Sequence, residues 1–239
     1  MREANKSGFF WLGACLLLGL ATLGYLLGDA AIRFKGMERT VTVKGLSERE
    51  LPADIVIWPL QYTVASNDLG ELYQALDGNT AKIRRYLEAA GIDAGEITSS
   101  PPAITDRSAQ QYGNAQQVEF RYAATQAVTV YSQHIETVRK LMQGLSELGR
   151  QGIVFTGGNY DTQTEYLFTR LNEVKPDMIE EATREARSVA EKFAADSKSR
   201  LGKIRSATQG QFSISDRDKN NPHIKKVRVV STVVYYLSD

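Results

Sequence analysis

The chain begins with one long apolar run and then switches between period-two and helical-period patterning. Phe9 to Leu27 holds no charged residue; Arg2 and Lys6 precede it and Asp29 follows it. At ~1.5 Å per residue, a helix of that length crosses a hydrocarbon core of ~30 Å. Gly13, Gly19 and Gly24 are compatible with this, because lipid forces the backbone to satisfy its hydrogen bonds internally. The run is read as a signal anchor over residues 1–28, followed by a linker over 29–38. Two alternatives stay open. A cleaved leader is disfavoured by the poor small-x-small site Gly28-Asp29-Ala30. Lipidation of Cys15, after Leu12-Gly13-Ala14, would strand Leu16, Leu17 and Leu18 beyond the cleavage point.

From residue 39 the pattern predicts a folded domain to 239. Arg39 to Lys44 alternates as a strand, and Gly45 to Ala53, with Pro52, reads as a turn region. Asp54 to Ser66 is a long strand with Val56, Trp58, Leu60, Tyr62 and Val64 on one face; Pro59 marks an edge or a bulge. Asp68 to Ala90 is a helix, capped by Asn67 or Asp68 and leaving through Gly91, with Gly78 as a weak point. Pro101-Pro102 keeps Ile97 to Thr105 out of a sheet centre, and polar Asp106 to Gln117 reads as a hairpin loop.

Val118 to Tyr131 repeats the long-strand pattern, and His134 to Leu148 repeats the helix. Ile153 to Phe155 and Glu165 to Phe168 are strand-like on either side of Gly157-Gly158. Pro176 opens a third helix, Asp177 to Leu201, whose alanines permit close approach to a sheet or a sister helix. Ala207 to Ser215 is a weaker strand, and Asp216 to Asn221 a charged turn. Lys226 to Leu237 is apolar on both faces, so it is expected to be central and buried on both sides, or packed on another subunit. The strand–helix units around 54–90 and 118–148 form a loose internal doubling. Long antiparallel strands with three main helices give an α+β class.

Charge and composition then remove function classes. The net charge is +1, so no global field recruits nucleic acid, and the small basic set Lys219, Lys225, Lys226 and Arg228 lacks interleaved aromatics. Cys15 is the single cysteine and lies in the apolar run, so the domain forms no disulfide, thiolate metal site or cysteine nucleophile. His134 and His223 are the two histidines; both read as exposed, without carboxylates at ligand spacing. Gly157-Gly158 lacks the residues of a phosphate loop and reads as a bend, and no Gly-x-Ser-x-Gly elbow occurs. Glu180-Glu181 and Glu48-Arg49-Glu50 read as solvated charge rather than acid–base machinery. Tyr160, Tyr166, Tyr235 and Tyr236 suit packing, or a groove for a small ligand or peptide. No catalytic, cofactor-binding or metal-ligating residue is assigned, and no enzyme activity is expected.

Arg39 to Val64 resembles the opening of the SIMPL-domain family, through Gly45, Pro52, Asp54 and Ile55-Val56-Ile57. The Ala-rich stretch 182–195, then Leu201-Gly202-Lys203-Ile204 and the final Val-rich strand, resemble its close. The resemblance spans about residues 39–237. It implies a bacterial envelope protein, periplasmic or membrane-attached, with homo-oligomers and a link to oxidative-stress tolerance in some members, and no established catalytic residue. The expectation is a single-pass inner-membrane protein with its domain in the periplasm. The flanking charges Arg2, Lys6, Arg33, Lys35 and Arg39 are too balanced to fix sidedness by themselves.

Overall fold

The structure, a computed structural model, describes residues 6–36, 39–109, 119–157 and 162–238. Helix α1 (Lys6–Gly36) contains the apolar run and extends it at both ends. Phe10–Ile32 has a mean hydropathy of 2.0 and no burial, so it is long and apolar enough to cross a membrane. The chain divides into two compact units: Met1–Glu48, Pro176–Phe212 and Arg228–Asp239 form the first, Arg49–Lys175 and Ser213–Val227 the second.

In the second unit, β2 (Ile55–Ser66) and β5 (Tyr122–Ser132) pair antiparallel from Val56↔Ser132 to Ser66↔Tyr122. Each has two short strands on its free side. β3 (Ile97–Ser99) and β4 (Ala103–Asp106) pair with β5, while β6 (Val154–Phe155) and β7 (Glu165–Leu167) pair with β2. With α2 (Leu69–Ala89), α3 (Ile135–Gln143) and α4 (Ser146–Arg150) between them, the order is that of a βαββαβ unit with interrupted edges. The loose doubling seen in the sequence is this topology. Pro101-Pro102 falls between the two short edge strands, as its missing donors require.

Pro59 is accommodated without a bulge. The Thr156 N–H donates to the Gln61 carbonyl at 2.9 Å, which turns the backbone groups of odd-numbered β2 residues toward β6 and β7. Those strands cover Tyr62–Thr63 and Ile55–Ile57, leaving Pro59 in the gap where no donor is needed.

One face of this sheet is packed. Val56, Trp58, Leu60, Tyr62, Ala124, Val128 and Val130 meet Leu72, Leu76, Ile83, Leu87, Val138 and Leu148 from the helices. Asp68 caps α2 by accepting from the Glu71 N–H at 2.9 Å. α2 and α4 end alike: Ile92 N–H reaches Leu87 O and Ile153 N–H reaches Leu148 O, with Gly91 and Gly152 at φ +90° and +88°. The helix expected over His134–Leu148 is broken at Gly144. A Cβ there would lie 2.5 Å from the Tyr86 hydroxyl, which donates to the Leu141 carbonyl at 3.0 Å and closes α3.

The first unit holds β8 (Arg200–Gln209) and most of β1 (Thr40–Pro52) and β10 (Ile224–Ser238), in the order β1-β10-β8; β9 (Ser213–Asp216) belongs to the second unit, as do the first residues of β10, 224–227. Three expectations change here. Gly45 to Pro52 is strand rather than turn; Gly45 is glycine because α5 (Leu171–Asp196) lies directly on it, with a would-be Cβ 1.8 Å from the Ala182 carbonyl oxygen. The third helix starts before Pro176 and stops at Asp196, not Leu201. Its stop is Lys198 at φ +52°, with Ser199 N–H to Ala194 O at 2.8 Å and Lys198 N–H to Ala195 O at 3.0 Å. The strand expected over Ala207–Ser215 accordingly begins at Arg200 and divides into β8 and β9.

β10 is central, as its composition suggested, but it is buried on one face. Val229, Ser231, Val233 and Tyr235 are buried, the last two against Ala186 and Ala190 of α5. Val230 and Val234 are half-buried and Tyr236 is exposed, because this unit supplies one helical layer for a sheet with two faces.

Candidate functional site

The second unit contains a cavity of about 350 Å³ lined by Pro52, Ala53, Gln133, His134, Ile135, Glu136, Thr137 and His223. It forms where the β1–β2 turn meets the start of α3. Ala53 N–H donates to the His223 carbonyl at 2.8 Å, fixing the segment after Pro222 against that turn. His134 precedes the first turn of α3 without capping it through its side chain. Instead its backbone N–H donates to Ser132 Oγ at 3.0 Å, and its Nδ1 lies 3.7 Å from Glu96 Oε1.

The two histidines differ. His134 is largely exposed, as expected, whereas His223 is half-buried with its ring edge-on to Tyr166 at 6.0 Å. Burial lowers the His223 pKa, and the Arg139 guanidinium lowers it further against the opposing pull of Glu136, so the imidazole is neutral at pH 7. Glu136 is itself paired with Arg139 at 3.0 Å. Sequence spacing could not bring residues 134 and 223 to one wall, and no local signal marked their meeting.

The remaining candidates resolve into structural roles. Glu180 is exposed near Arg184, but Glu181 does not belong to a solvated face: its carboxylate accepts from the buried Ser47 hydroxyl at 2.8 Å. Glu48 and Glu50 lie near Arg228 and Arg217 at 3.9 and 3.7 Å. The basic set does not act as one patch, since Lys225 is buried and bonded to Asp216 while Arg228 faces Glu48. Tyr235 and Tyr236 point to opposite faces of β10, and Tyr166 is in the core of the second unit. Tyr160 and Gly158 lie outside the described residues, while Gly157 follows β6 with open space around it.

Among the described residues, no three His, Cys, Asp or Glu side chains group as metal ligands. The lining brings together the half-buried His223 imidazole, the exposed His134 imidazole, the Glu136 carboxylate, the Thr137 hydroxyl and the Gln133 amide.

No curated protein is similar enough to this chain to count as a match. The model of the family described as "SIMPL: Protein of unknown function (DUF541)" matches residues 41–233, most of the chain and nearly all of the part beyond α1, and the chain therefore belongs to the SIMPL family.

Proposed function

We propose that this protein is a non-enzymatic, single-pass component of the bacterial inner membrane whose SIMPL domain faces the periplasm and associates with further copies of itself. The observation that carries this reading is α1: Phe10–Ile32 is apolar, wholly unburied and joined directly to the domain. An uncovered helix of this kind finds its partner in lipid, since exposing it to water would cost the hydrophobic free energy of the entire run.

Self-association is supported by β10 and β8. Val230 and Val234 are half-buried on the face of β10 away from α5, and among the described residues β8 is the last strand of its sheet, paired with β10. An open edge of that length is a template for pairing. A role in oxidative or envelope stress tolerance rests on the family resemblance.

The test is direct. An alkaline-phosphatase fusion placed after residue 40 is expected to be active, and native mass measurement of the full chain in detergent is expected to give a multimer. An inactive fusion would place the domain in the cytoplasm, and a monomer at all concentrations would remove the self-association. A second reading, a module for a small ligand or peptide, is favoured by the cavity between Pro52 and His223. A ligand screen read by the His223 ring resonances would support it, and resonances that never move would discard it.

A further inference from the structure

We propose that the end of the first unit nearest α1 is a docking surface for the headgroups of an anionic bilayer. This rests on the reading of α1 as inserted in the membrane. Helix α1 ends at Gly36 and β1 begins at Thr40, a separation of roughly 14 Å at most for four extended residues. Whatever surrounds Thr40 is therefore held at the membrane surface.

Three chain segments meet there. The Leu237 N–H donates to the Arg39 carbonyl at 2.9 Å, Ser238 pairs with Arg200, and Arg39 Nη2 donates to Ser199 Oγ at 3.3 Å. The start of β1, the end of β10, the start of β8 and the exit of α5 thus share one end. That end carries Lys198 and Arg200, with Lys203 and Arg205 further along β8, all exposed. Asp196 offsets one of these charges and leaves the end positive.

The same end exposes two aromatics. Phe193, in the last turn of α5, is 55% exposed, and Tyr236 is 39% exposed with Arg205 6.0 Å from its ring. Exposed aromatics beside bases are the composition of a membrane interface: the ring enters the headgroup layer and the cation pairs with phosphate.

Fluorescence quenching of the full chain in nanodiscs tests this. A dye on Ser197→Cys, in a Cys15→Ser background, reads the surface, with nitroxides on the lipid headgroups. A dye on native Cys15, with nitroxides on the acyl chains, reads the anchor. One base near an anionic surface changes occupancy roughly fivefold. The Ser197→Cys dye is therefore expected to quench severalfold more in discs with phosphatidylglycerol than in purely zwitterionic discs. The difference is expected to vanish at high salt and in the variant with Lys198, Arg200, Lys203 and Arg205 all changed to Gln. Equal quenching in both discs, with the Cys15 dye quenched, would overturn the docking surface and leave the anchor standing. An unquenched Cys15 dye would overturn the anchor and the docking surface with it.

Discussion

Gly45 and Ala182 touch backbone to backbone: a Cβ built on Gly45 would lie 1.8 Å from the Ala182 carbonyl oxygen and 2.5 Å from the Ala186 nitrogen. No rotamer relieves such a clash, since both opposing atoms are main chain. Gly45→Ala is expected to push α5 off the sheet and cost roughly 3 kcal/mol or more, at the upper end of overpacking effects. Urea denaturation of the full chain in detergent checks it; an unchanged midpoint would show that the helix does not ride on that strand.

Lys198 is expected to be a stabilising site for glycine. Its φ of +52° closes α5 in the left-handed region, where a side chain costs about 1–2 kcal/mol and glycine nothing. Lys198→Gly should raise stability by about 1 kcal/mol, while Gly91→Ala and Gly152→Ala, at the equivalent exits of α2 and α4, should lower it by a similar amount. Thermal melting of the three variants compares the exits directly.

Tyr62 is fully buried, with its hydroxyl 2.7 Å from both Thr80 Oγ1 and Gln126 Oε1 and 3.0 Å from the Leu76 carbonyl. Burial raises its pKa, so it remains a neutral donor throughout the useful pH range. Tyr62→Phe leaves buried polar groups of α2 and β5 short of a partner and should cost about 1–3 kcal/mol. Chemical denaturation measures this; a loss well under 1 kcal/mol would mean that water enters and replaces the hydroxyl.

Acid should weaken the fold in a defined window. Asp106 is held at about 2 by its hydrogen bond from Arg121 and then by Ser108, and Asp218 at about 2 by Arg217 and then by Asn221. Both fall from an ordinary value of 3.8, so each stabilises the folded state above about pH 4 and loses that contribution as pH drops toward 2. Both carboxylates are at the surface, so a graded fall in melting temperature is expected rather than abrupt unfolding. Asp106→Asn and Asp218→Asn should flatten the profile between pH 4 and 2; a wild-type slope in the double variant would contradict the assignment.

Much of this architecture was legible along the chain. The uncharged run before Asp29, the long strand at 54–66, the capped helix after Asp68 and its exit at Gly91 follow from local chemistry: alternation, stripes, a cap and a left-handed glycine; the strand expected from Val118 to Tyr131 is present from Tyr122, Val118 lying outside the described residues. These signals are complete within a dozen residues, so no tertiary knowledge is needed to read them. What the sequence could not decide is where distant segments lie against one another. Gly45 looked like a turn because the helix that demands a glycine there is some 140 residues away in sequence. The helix after residue 170 lost its true end because Lys198, not a glycine, adopts the left-handed exit, and helix propensity alone runs past it. Gly144 breaks a well-patterned helix because the Tyr86 hydroxyl, from another helix, occupies the space of its missing side chain. His134 and His223 became neighbours of one cavity through tertiary packing, with the Ala53 N–H holding the His223 carbonyl against the turn after Pro52. Local backbone preference is written residue by residue, whereas close approach depends on which surfaces the folded chain presses together.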